Sequence, residues 1–63
     1  MRQNLKDARK KLGLSQREMA EKLSVCQQYY SFLETGSTKG SIRVWDALED
    51  MTGIHQRTLR ENL

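Results

Sequence analysis

Residues 15–36, SQREMAEKLSVCQQYYSFLETG, decide how this chain folds. Ser15 and Glu18 have the spacing of a capping box. The serine oxygen accepts from the amide three residues on, and the glutamate accepts from the serine amide, so a helix opens here. Met19, Ala20 and Leu23 give that helix its buried stripe over two turns. Ser24-Val25 then breaks the pattern. A further helix is predicted from Cys26 or Gln27 to Glu34, with Tyr30 and Leu33 inward and Val25 beneath them. Gln27, Gln28, Ser31 and Phe32 are left on its other side, and Thr35-Gly36 stops it.

The flanks read the same way. Leu5, Ala8 and Leu12 recur at i, i+3 and i+7, which predicts a first helix over Arg2–Leu12 ended by Gly13. Leu14 can serve in a hydrophobic staple on the capping box. Residues 36–40, Gly-Ser-Thr-Lys-Gly, form a loop by composition. Ser41 caps a fourth helix through Met51, with Ile42, Trp45, Leu48 and Met51 inward and Val44 and Ala47 beside them. Thr52-Gly53 ends it. A short last helix over His55–Asn62 is anchored by Ile54 and Leu59. Glycines at 13, 36, 40 and 53 each follow helical spacing, no stretch alternates like a strand, and there is no proline. The expectation is all-α.

Composition narrows function. The chain has 63 residues, 37% of them apolar, enough for one small core and a net stability of ~3–5 kcal/mol at most. No apolar run exceeds two residues, against the ~18 a membrane span needs, and Met1–Leu14 has no apolar signal region. The lone Cys26 makes no internal disulfide, which suits a reducing interior. Cys26 and His55 together fall short of the four ligands of a structural zinc site. As a nucleophile and base they would lack a cleft, so catalysis, a metal and a cofactor are not expected.

Charge is uneven. The net is +3, but residues 1–17 carry +5 through Arg2, Lys6, Arg9, Lys10, Lys11 and Arg17 against Asp7. A basic end is the footprint of a polyanion, or simply a solvated helix face. Residues 15–36 place two helices around a tight turn, a helix-turn-helix pattern whose second helix protrudes. A protruding helix fits the DNA major groove.

The residues also resemble the phage-repressor and Cro-like, XRE-type helix-turn-helix family along residues 4–60. The resemblance rests on Arg9, Gly13-Leu14-Ser15-Gln16, Met19-Ala20, Leu23-Ser24-Val25, Glu34-Thr35-Gly36 and Gly53-Ile54. Two positions depart from the family pattern: Ser24 stands where a turn glycine is usual, and Phe32 where a polar or basic base-reading side chain is common.

The resemblance implies a compact bundle of five short helices, a lambda-repressor-like DNA-binding domain over residues 1–63 with its helix-turn-helix at about 15–36. It implies base reading by Gln27 and Gln28, with Ser31 and Phe32 on the same helix. Glutamine can both donate to and accept from adenine in the major groove. Phe32 is open to a thymine methyl, the core or a protein partner. Phosphate contacts are implied for Gln16, Arg17, Tyr29, Thr35, Ser37, Lys39 and Arg43, with Tyr29 equally a candidate for the core rim. Arg9 and Glu34 match a structural ion pair. Cys26 holds a cap position better filled by serine or threonine, because a thiol accepts weakly.

The expected function is sequence-specific binding of double-stranded DNA by a transcriptional regulator, a repressor of phage, plasmid or mobile-element type in the bacterial cytoplasm or nucleoid. The expected site is a palindromic operator bound by a homodimer through the fourth and fifth helices. One rival is a protein-interaction module, such as an antitoxin or anti-repressor target, using Phe32, Tyr29 and Val44. A second rival is a non-specific architectural DNA protein.

Overall fold

Five of these segments become helices in the computed structural model, which describes residues 1–63: α1 Gln3–Lys11, α2 Gln16–Leu23, α3 Gln27–Thr35, α4 Ile42–Thr52 and α5 Gln56–Leu59. The Ser15–Glu18 box closes in both directions, at 3.1 Å from the Glu18 amide to Ser15 Oγ and 2.9 Å from the Ser15 amide to Glu18 Oε1. The Ser15 amide and hydroxyl hold the Glu18 carboxyl below its ordinary pKa. Ser41 caps α4 by accepting from the Val44 amide at 3.3 Å.

Each helix turns its apolar stripe toward one cluster. Leu5 and Ala8 come from α1, and Met19, Ala20 and Leu23 from α2. Tyr30 and Leu33 come from α3, Val44, Trp45 and Leu48 from α4, and Leu59 from α5. Leu14, Val25, Met51 and Ile54 pack against its edge. The α2–α3 turn passes through Ser24 at φ 59° and ψ 40°, the only left-handed residue other than glycine. That backbone is why a glycine suits the position.

Several expectations are corrected. Ile42 is 76% exposed, while Val44 is buried. Residues 42, 45 and 48 step by three, and at 100° per residue this stripe drifts by about 120° over six residues. Val44 lies closer to the direction of Leu48 and takes the inward place. Leu12 is 44% exposed because α1 ends at Lys11 and Leu12 overhangs the core; Leu14 folds back in its stead. The last helix is only Gln56–Leu59. Beyond it the chain is claimed by other partners: Leu63 N–H donates to Met1 O at 2.9 Å, and the Met1 ammonium donates to Asn62 Oδ1 at 2.7 Å.

Gly40 stops no helix. It sits in the loop before α4 at φ +75°, where a Cβ would lie 2.7 Å from Leu33 Cδ2 and 2.8 Å from Trp45 Nε1. Only glycine lets the loop lie this close to the core. Trp45 then anchors the loop, donating from Nε1 to Lys39 O at 2.7 Å.

Candidate DNA interface

The Glu34 carboxylate joins three helices. Arg9 Nε of α1 donates to Glu34 Oε2 at 2.6 Å, and Gln16 Nε2 of α2 donates to Glu34 Oε1 at 3.1 Å. Arg9 also donates from Nη1 to Leu14 O at 2.7 Å. Glu34 is 1% exposed. The hydrogen bond to Glu34 raises the Arg9 pKa against the opposing effect of burial. This junction fixes α3 against α1 and α2, and so sets the angle at which α3 is presented.

Tyr30 lies in the same region. Its hydroxyl is buried without a hydrogen-bond partner. Burial, and secondarily the Glu34 carboxylate, push its pKa well above 10.

The opposite face of α3 is free of the core. Gln27, Gln28, Phe32 and Thr35 are exposed and Ser31 is half-buried. At 100° per residue these five side chains fall within an arc of about 140°. Phe32 is 43% exposed, so it does not fold into the core. Tyr29 is half-buried and packs on the core edge, leaving its polar tip to the rim. Cys26 caps α3 weakly, its Sγ accepting from the Tyr29 amide at 3.4 Å.

Gln16 has two possible uses in one side chain. One N–H of its carboxamide is held by Glu34, and a carboxamide carries two such donors. The Gln16 and Arg17 amides occupy the first turn of α2 and have no partner inside their own helix, a suitable setting for a phosphate oxygen. The Arg17 side chain lies 3.8 Å from Glu21 in an exposed pair, a type that contributes little and leaves the arginine available.

After α3 the chain is tightly tied. Thr35 Oγ1 donates to Phe32 O at 3.2 Å and lies 3.0 Å from Ser37 Oγ. Lys39 and Arg43 are exposed. The sequence reading counted Arg2 only as one charge of the basic N-terminal end, yet this residue is buried and donates from Nη1 to Leu33 O at 2.8 Å and to Thr38 O at 2.7 Å. No sequence signal marks it, because its partners are backbone carbonyls that every residue has.

The remaining surface bears on two expectations and alters the one about Val44. An open cleft of about 560 Å³ does exist, lined by Asn4, Asp7, Ala8, Lys10, Lys11, Ile54 and Thr58. It holds neither Cys26 nor His55, and none of the α3 or loop residues above. His55 instead opens α5, its Nδ1 accepting from the Arg57 amide at 3.0 Å. Val44 is buried, so the apolar patch of the protein-interaction reading shrinks to Phe32 and the rim of Tyr29. No group of three histidine, cysteine or acidic side chains is placed to hold a metal. No helix is long and apolar enough to cross a membrane.

A capped helix pair joined by a tight turn, with a polar outward face on the second helix, defines the helix-turn-helix class of DNA-binding proteins. The helix-turn-helix family model matches residues 5–55, and the chain belongs to this XRE-type family of DNA-binding regulators. No match is found among curated proteins or solved structures.

Proposed function

We propose that this protein is a sequence-specific transcriptional regulator that represses by occupying promoter DNA, with α3 in the major groove. The observation that carries this reading is the outward arc of α3, where Gln27, Gln28, Ser31 and Phe32 are free of the core. Gln27 and Gln28 open the helix and read A·T pairs through donor and acceptor together. Phe32 on the same arc meets a thymine methyl. Gln16 and Arg17 at the start of α2, with Tyr29, Thr35, Ser37, Lys39 and Arg43, hold the phosphate backbone. Arg9 and Glu34 keep α3 at its working angle. Residues 1–63 act as one DNA-binding unit, of phage, plasmid or mobile-element type, in the bacterial cytoplasm or nucleoid.

A palindromic operator would be bound by a homodimer. The chain measures 23 × 23 × 20 Å, so one copy cannot reach half-sites one DNA turn, ~34 Å, apart. Two copies meeting through α4 and α5 can.

The test is the salt dependence of binding to a mixed-sequence DNA duplex. Log affinity falls linearly with log salt, at ~0.9 per neutralised phosphate. Lys39→Ala or Arg43→Ala each lowers the slope by about one while leaving sequence preference intact. Affinity that barely moves between low and moderate salt refutes the reading.

A further inference from the structure

Arg2 is a buried cation without a carboxylate. The two ion pairs of the fold are Arg9–Glu34 and Arg17–Glu21, and Arg2 belongs to neither. Its guanidinium meets carbonyls instead: Leu33 and Thr38 through Nη1, and Arg60 through Nε at 3.1 Å. Its own amide donates to Glu34 O at 2.7 Å. The guanidinium also lies over the Trp45 ring, 5.2 Å from the centroid.

A helix leaves its last carbonyls without partners, and its C-terminal end carries partial negative charge. In α3 the Phe32 carbonyl is taken by the Gly36 and Ser37 amides, both at 3.0 Å. The next two, Leu33 and Glu34, are taken by Arg2. α3 has no basic residue in its own last turn, so Arg2 supplies that cation from another part of the chain. The aromatic face of Trp45 adds a favourable surface for it. Burial, and then Arg60, lower the Arg2 pKa, the mark of a cation held in place without a counter-charge.

The same Nη1 atom bonds both the end of α3 and Thr38 in the following loop. One rigid guanidinium thus fixes the loop carrying Ser37 and Lys39 relative to the helix that faces the groove. We propose that Arg2 is a positioning residue for DNA binding: it clamps the Ser37–Lys39 loop to the end of α3, so that Lys39 engages the phosphate backbone while α3 reads bases. This rests on the DNA-binding reading above.

The experiment compares the parent chain with Arg2→Lys, Arg2→Gln, Lys39→Ala and the Arg2→Lys/Lys39→Ala double variant. Affinity for a mixed-sequence DNA duplex is measured against salt, and folding is checked by circular dichroism and Trp45 fluorescence. Lysine keeps the charge but loses the Nε donor to Arg60 O and the planar guanidinium that fixes the directions of the two Nη1 bonds. The expected result is a folded Arg2→Lys whose salt slope drops by ~0.9, the loss of one phosphate contact. Lys39→Ala shows the same drop, and the double variant drops no further. Arg2→Gln repeats the loss if Arg2→Lys is too unstable to measure. A merely structural residue would lower the unfolding midpoint and leave the slope of the folded protein unchanged. The proposal is overturned if Arg2→Lys keeps the parent slope, if the two losses add, or if neither Arg2 variant folds at any temperature. Failure of the underlying reading looks different: the parent chain itself then shows no salt-dependent binding.

Discussion

Arg9→Ala removes the guanidinium that joins α1 to the end of α3. Two hydrogen bonds disappear, to Glu34 Oε2 at 2.6 Å and to Leu14 O at 2.7 Å. The larger effect is on what remains. Glu34 is 1% exposed, and its carboxylate is left with the 3.1 Å bond from Gln16 Nε2. Stranding one member of a buried pair costs about 3–5 kcal/mol. A core this small provides ~3–5 kcal/mol of net stability in all, so Arg9→Ala is expected to be largely unfolded at 25 °C. A second variant separates the stranded charge from the lost packing. Arg9→Met with Glu34→Gln removes both charges, keeps an acceptor for Gln16, and recovers most of the loss. Urea unfolding is followed by far-ultraviolet circular dichroism and by the fluorescence of Trp45, the single and buried tryptophan. An Arg9→Ala midpoint equal to the parent refutes the argument. A double variant no more stable than the single shows that stranded charge is not the cause.

Two further stability predictions use the same assay. Ser24 holds a left-handed backbone at φ 59°, so Ser24→Gly is expected to stabilise by about 1 kcal/mol; a lower midpoint contradicts this. Tyr30 buries an unpartnered hydroxyl, and Tyr30→Phe is expected to stabilise by about 1 kcal/mol at neutral pH. Because the folded pKa of Tyr30 lies above its ordinary 10.0, the unfolded chain releases this proton first, so stability is unaffected by the group below pH 10 and falls as pH rises beyond it. The parent therefore loses stability relative to Tyr30→Phe above pH 10, and parallel alkaline profiles would refute that.

Legibility in the sequence followed the range of the interactions. α2 and α3 could be read because their determinants are local: a serine–glutamate box, apolar residues on one face, and a Thr-Gly stop. Arg9–Glu34 was visible only through the family resemblance, since nothing local links residues 25 apart. Ile42 and Val44 were exchanged because spacing by three tracks a helix face over one turn and drifts over two. Leu12 and the end of α5 were misplaced for a related reason. Helix ends are set by what the chain meets next, here the returning Leu14 and the Met1–Leu63 contacts. The carbonyl contacts of Arg2 left no trace in residue type at all. On the outward face of α3 the sequence showed which side chains are spare, since the inward places were already filled by Tyr30 and Leu33.

Reading of bases by α3 is the central claim, and Gln28 tests it most directly. A preferred site is first selected from random DNA, and the parent and Gln28→Ala are then compared on a panel of its single-base variants. Gln28 is exposed and outside the core, so the variant is expected to fold as the parent does and to keep its non-specific affinity. It is predicted to lose ~1–3 kcal/mol of discrimination at one base pair, an A·T pair, and to leave the other positions as they were. An unchanged rank order across the whole panel contradicts base reading by this helix.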